Sequence, residues 1–247
     1  VSNVRTVSDT KRDFYNHHTR PINSIYRRVV EELMVEMHLL SVNIDFHYDP
    51  IYAFGVVTAF NRLMQGYRPE RDMESIFTAL CQAVGDDPQQ YQQDAERLTA
   101  MAKLSGQEIL SWFNDPTPVD GVEGLHETIA SIKDNPKFKY SRLFAIGLYT
   151  LIEQSDPKLL EDEKKVGEVF KQVSQSLNLP EEKLLKDLEL YRSNLEKVAQ
   201  AQSAIEDIIR ADRKKREQRT QDQSKATPPS EDEDSSSKDE APSSGAS

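Results

Sequence analysis

Five histidines, one cysteine and 42 acidic side chains are the chain's material for chemistry, and their spacing assembles little of it. A carboxylate-bridged di-iron centre in a helical bundle needs Glu-x-x-His on two helices and two further glutamates. The nearest approach is Glu32, Glu36 and His38, where His38 leaves the helix on a different side from Glu36, so the ligand geometry fails. His17 and His18 are adjacent, and neighbours on a helix diverge. They are expected as a polar helix end before Pro21. His47, beside Tyr48 and Asp49, belongs with the cap of the next helix, and His126 stands alone after a loop. Cys81 lies on an apolar stripe, where a free thiol behaves as a small hydrophobe. The common phosphate-loop, dinucleotide, zinc-protease and serine-hydrolase strings are absent, and no nucleophile, base and oxyanion donor converge. The reading is of a non-enzyme: no catalytic residue, no metal ligand and no cofactor site is expected.

The feature that most resembles a working surface is basic. Arg210–Arg219 carries six cations against Asp212 and Glu217, directly after Ile205, Ile208 and Ile209. The candidate partner-binding residues are therefore Ile205, Ile208, Ile209, Arg210, Arg213, Lys214, Lys215 and Arg216. Two readings stay open for the block. Cations are favoured at the C-terminal end of any long helix. Alternatively, they form a patch for anionic headgroups or an acidic partner, with ~1 kcal/mol from each Lys or Arg near an anionic surface.

What positions these residues is helix after helix. Ile22, Ile25, Tyr26, Val29, Val30, Leu33, Met34, Met37 and Leu40 follow helical spacing, with Pro21 placed for a first turn. Asp49-Pro50 supplies an N-cap and a proline at the first helical position, opening an almost wholly apolar run, Ile51–Met64, that Gly66 can end. A stripe from Met73 to Val84 closes at Gly85, a segment Pro88–Leu104 follows, and Ser105 with Glu108 has capping-box spacing. Asn114–Gly124 is a loop, and helices are expected at about 125–133, 141–154 and 158–177. No alternation supports a strand, and the fold class is all-α.

The longest helix opens at Glu181 and runs to about Arg219 without Pro or Gly, roughly 58 Å at ~1.5 Å per residue. Leu184, Leu188, Tyr191, Leu195, Val198, Gln202, Ile205 and Ile209 form a heptad seam. The same periodicity serves packing on the chain's own domain or an intermolecular coiled coil, so the oligomeric state stays open. Residues 1–180 thus form a helical domain, 181–219 the long helix, and 220–247 an acidic, serine-rich tail expected to be disordered.

Acids outnumber bases 42 to 31, a net charge of −11, which argues against a nucleic-acid partner. A lone cysteine excludes an intrachain disulfide and fits a reducing compartment. The longest apolar runs, Ile51–Phe60 and Leu143–Ile152, are about half the ~20 residues of a membrane-spanning helix, so any membrane contact is expected to be peripheral. The N-terminal residues lack the pattern of a signal peptide and are too few for a transit peptide.

Long stretches of the chain resemble the thylakoid formation protein family, the photosystem II biogenesis proteins of cyanobacteria and chloroplasts. They are Thr6–Phe14, Arg20–Leu40, Tyr48–Phe60, Gln65–Glu70 and Tyr140–Tyr149, and the resemblance spans roughly residues 3 to 210. It implies an all-helical auxiliary factor without catalysis, peripheral on the thylakoid, supporting photosystem II assembly and repair. The implied partners are the photosystem II assembly and repair machinery and the membrane-bound FtsH-type protease complexes. The absence of a transit peptide favours a cyanobacterial protein on the cytoplasmic face of the thylakoid, or the processed form of a stromal one. A carrier enclosing a pigment or lipid in its bundle is the alternative.

Overall fold

The computed structural model describes residues 4–225; the remainder of the acidic tail lies outside them. The described residues form ten α-helices and no strand. They are α1 (Val7–His17), α2 (Ser24–Ser41), α3 (Pro50–Leu63), α4 (Asp72–Val84), α5 (Pro88–Met101), α6 (Gly106–Asn114), α7 (Leu125–Asp134), α8 (Arg142–Ser155), α9 (Glu163–Leu177) and α10 (Glu181–Lys225). Two compact units divide within α10, at Gln200.

The starts of these helices are written in local chemistry. Thr6 and Asp9 form a reciprocal capping box on α1, and Ser105 and Glu108 form another on α6, each satisfying backbone N–H groups that have no partner within the helix. Asp49 accepts from the Tyr52 N–H at 2.9 Å, with Pro50 at the first position of α3. Gly85 adopts the left-handed conformation that ends α4 at no steric cost.

Several boundaries differ from the expected ones, each for a local reason. Helix α2 starts at Ser24 rather than at Pro21, because Asn23 caps it by accepting from the Ile25 N–H at 3.1 Å. Helix α3 stops at Leu63, and Gly66 takes its positive φ in the turn beyond. Helix α5 ends at Met101. The single helix expected over 158–177 is a 3-10 turn, Pro157–Leu160, followed by α9, because Asp162 caps a fresh start. Helix α10 continues past Arg219 to Lys225.

In the unit ending at Gln200 the centre is the pair α3 and α8. Every residue of Ile51–Phe60 and of Leu143–Ile152 is buried. Two glycines permit their approach: a Cβ on Gly55 would lie 1.7 Å from the Leu143 carbonyl oxygen, and one on Gly147 would lie 2.0 Å from that of Ile51. Helix α5 covers another side of α3, α1 pairs with α4, and α6 and α7 pack on α9. The first turns of α10 belong to this core. Leu184, Leu188 and Tyr191 are buried, Tyr191 meets Tyr149 edge-on at 6.2 Å, and Asp187 accepts from the Tyr140 hydroxyl at 2.9 Å. The proximal half of the heptad seam is thus spent within the chain's own domain.

Candidate functional site

From Ala201 onward α10 forms the second unit, and its described side chains are almost all exposed. Ile205, Ile208 and Ile209 are 45, 64 and 62 % exposed. Each costs the free energy of hydrating an apolar side chain, and three in one turn make a patch. Arg210, Arg213, Lys214, Lys215 and Arg216 are exposed as well. Arg210 lies 3.9 Å from Asp207, and Arg213 pairs with Glu217 at 2.9 Å, while Lys214, Lys215 and Arg216 have no acidic partner among the described residues.

At 3.6 residues per turn these eight side chains do not share one face. Ile205, Ile208 and Ile209 lie on one side, with Arg216 directly along it and Arg213 and Lys215 at its two edges. Arg210 and Lys214 leave from the opposite side. The structure therefore resolves the basic block into an apolar-and-basic face and a purely basic back.

Of the other residues the sequence singles out, Cys81, His18 and His38 are buried, whereas His17 and His47 are exposed and His126 is half-buried. Cys81 is completely buried, and burial beside Asp86 and Asp87 pushes its thiol well above the ordinary range. His17 is exposed, as a polar helix end should be, but His18 is not: it is 1 % exposed, caps α1, and bonds the Ser75 hydroxyl through Nδ1 at 2.8 Å. The helix ends one turn before Pro21, and the chain turns His18 inward against Phe14. His38 is likewise buried, its Nδ1 2.8 Å from the Thr10 hydroxyl. Burial lowers the pKa of both imidazoles. Among the described residues no group of three or more His, Cys, Asp or Glu is placed to hold a metal ion.

The sequence reading missed two polar features. The first is a buried network at the α3–α5 contact: the Tyr48 hydroxyl donates to Asp94 at 2.8 Å, and the Tyr91 hydroxyl donates to Asp86 at 2.7 Å. Asp49 is buried beside it, and desolvation raises its pKa to about 7 against the lowering pull of the Tyr52 and Ile51 N–H groups. The second is a groove of about 730 Å³ between α3, α4 and α5, floored by Phe60 and Phe77. Its one sequence signal is the polar set Gln89, Gln92, Gln93 and Glu96, opposite Tyr91, Ala95 and Leu98 on α5.

The chain is all-helical among its described residues, and its last helix carries an exposed apolar-and-basic face. The family model described as thylakoid formation protein matches residues 6–220, and the chain belongs to that family. It is 62 % identical over 222 residues to Protein Thf1 of Nostoc punctiforme, covering 90 % of this chain and 94 % of the relative. It is 61 % identical over 222 residues to Protein Thf1 of Gloeothece citriformis, covering 88 % and 97 %. A solved structure titled Psb29 superposes with a TM-score of 0.68 at 45 % identity, covering 79 % of this chain and 98 % of that one.

Proposed function

We propose that this protein is a non-enzymatic auxiliary factor in photosystem II biogenesis and repair and in thylakoid organisation, acting by binding membrane-embedded FtsH-type protease complexes. The observation that carries the reading is the exposed face of Ile205, Ile208 and Ile209 continued by Arg216. An amphipathic helix of this kind lays its apolar side chains into a groove of its partner while the cations set orientation and association rate. Family membership supplies the thylakoid context. The proposed location is peripheral, on the cytoplasmic face of the thylakoid; no helix among the described residues is long and apolar enough to cross a membrane. The grooves of the first unit are open to solvent and rimmed by polar side chains, which does not favour the carrier reading.

The test is affinity capture with the full chain from detergent-solubilised cyanobacterial thylakoids, with mass spectrometry of what survives a salt wash. Enrichment of FtsH-type subunits supports the proposal. Capture of bound pigment or lipid without those subunits would favour the carrier reading instead.

A further inference from the structure

The buried network between α3 and α5 is also a contact of oxidisable rings. Tyr48, Tyr52 and Tyr91 form a closed triangle, with ring centroids 5.2 Å apart for Tyr48 and Tyr91 and 6.0 Å apart for each other pair, all meeting edge to face. Rings this close are in contact, so an electron has no insulating layer to cross. Tyr52 and Tyr91 are 1 and 0 % exposed, whereas Tyr48 is half-buried and lines a surface hollow of about 380 Å³. The triangle therefore has one corner within reach of a dissolved molecule.

Losing an electron makes a phenol strongly acidic, so oxidation is easy only where the proton has somewhere to go. Desolvation, the largest cause, pushes all three phenols above their ordinary range, which closes the route through a phenolate. Loss of the electron alone would leave a buried cation without a partner. The remaining route moves proton and electron together, and the acceptors are in place. Asp94 lies 2.8 Å from the Tyr48 hydroxyl and Asp86 lies 2.7 Å from that of Tyr91.

The two acceptors differ. Asp94 also holds Arg97, at 2.9 Å, so its charge is already balanced. Asp86 has no ion pair among the described residues, and burial raises its affinity for a proton against the lowering pull of the Tyr91 hydrogen bond. A proton on Asp86 neutralises an unbalanced buried charge, whereas one on Asp94 leaves Arg97 without its carboxylate. An oxidising equivalent that enters at Tyr48 thus moves downhill to Tyr91.

We propose that Tyr48, Tyr91 and their carboxylates form a one-electron relay, which takes an oxidising equivalent from a radical or photo-oxidant at the surface and holds it in the core as a neutral tyrosyl radical. The oxidant takes an electron from Tyr48 while the hydroxyl proton passes to Asp94, giving the reduced oxidant, a tyrosyl radical and a protonated Asp94. Tyr91 then gives an electron to Tyr48 and its proton to Asp86, and Tyr48 recovers its own proton from Asp94. A small reductant such as ascorbate clears the inner radical by supplying one electron, with Asp86 returning the proton. The relay lies in the first unit and stands independently of the function proposed for α10.

The test is laser flash oxidation of the full chain by tris(bipyridine)ruthenium with a cobalt(III) acceptor, followed by transient absorption and electron paramagnetic resonance. With ferrocyanide present, a bulky anionic reductant, the parent should keep a tyrosyl radical long after that of free tyrosine has gone. Tyr48→Phe should lose most of this long-lived signal. Tyr91→Phe should form a radical as fast as the parent but lose it quickly to ferrocyanide. Asp86→Asn keeps a hydrogen-bond acceptor but no base, and should behave like Tyr91→Phe. Tyr15→Phe/Tyr26→Phe removes two half-buried tyrosines outside the triangle and should leave the long-lived signal unchanged. Melting curves identify the folded variants, and Tyr48→Phe, which loses one hydroxyl from a half-buried ring, decides the matter if Asp86→Asn does not fold. The proposal is overturned if the parent's radical decays as fast as free tyrosine's. It is also overturned if the long-lived signal survives Tyr48→Phe or a folded Asp86→Asn, or disappears in Tyr15→Phe/Tyr26→Phe.

Discussion

Gly55→Ala tests whether the α3–α8 crossing is the keystone of the domain. The added Cβ would lie 1.7 Å from the Leu143 carbonyl oxygen and 2.7 Å from its carbon, both backbone atoms of a helix that cannot swing aside. Restoring an ordinary carbon–oxygen contact of ~3.3 Å requires the helices to part by about 1.5 Å. A gap of 0.5–1 Å already forfeits roughly a quarter to a half of a dispersion contact, and every neighbour along Ile51–Phe60 shares the loss. Overpacking costs ~1–3 kcal/mol, and an immovable backbone clash belongs at the upper end. Alanine's better helix propensity returns ~1 kcal/mol, leaving a net loss of about 2 kcal/mol. For a domain of this size that is about 4–8 °C of melting temperature. Circular dichroism at 222 nm during heating reads it directly. Gly167→Ala is the control, since a Cβ there meets nothing within 4 Å, and it should melt at or slightly above the parent. Gly55→Ala/Gly147→Ala should cost less than the sum of the single substitutions, because one separation of the helices relieves both clashes. A Gly55→Ala protein that melts at or above the parent would refute the reasoning.

Four further outcomes follow from burial and charge. Native Cys81 should resist a bulky maleimide while the urea-unfolded chain labels rapidly, and fast labelling of the folded protein would contradict its burial. Asp49 holds its proton up to about pH 7 in the fold but releases it near 3.8 when unfolded, so its contribution to stability falls as pH rises through that window. Asp49→Asn keeps the cap and should flatten that fall and raise stability at pH 8, read by urea unfolding across pH; an unchanged slope would contradict it. The buried imidazoles of His18 and His38 act oppositely, their neutral forms costing stability as pH drops below about 6.5. On α10, Lys215→Glu/Arg216→Glu should weaken thylakoid capture more than Arg210→Glu/Lys214→Glu, in a salt-dependent way; equal losses would point to diffuse charge rather than one face.

Most of the helical architecture was legible because it is locally encoded. Asp49-Pro50, Ser105 with Glu108 and Gly85 mark helix ends by hydrogen bonds and backbone conformations that need no tertiary partner. The apolar runs marked α3 and α8 as buried but not their contact: Gly55 and Gly147 are meaningful only once each faces the other helix's carbonyl. His18 was misread for the same reason, since its inward turn depends on Phe14 and Ser75, the latter 57 positions away. The isoleucines and cations of α10 were legible as types in a row, and helical phase then divided them into two sides. The groove on α5 was invisible because amides on a helix surface read as solvated until two neighbouring helices wall them in.

The central claim is that this chain reaches its thylakoid partner through the distal part of α10. Capture of FtsH-type subunits from detergent-solubilised thylakoids by the full chain, set beside capture by the chain truncated after Gln202, tests it most directly. The last fully buried side chain on α10 is Tyr191, so the truncated protein should retain the helical spectrum and melting temperature of the parent domain. The account predicts that such a folded, truncated protein captures little or none of the protease. Undiminished capture would contradict it and place the binding face on the first two hundred residues.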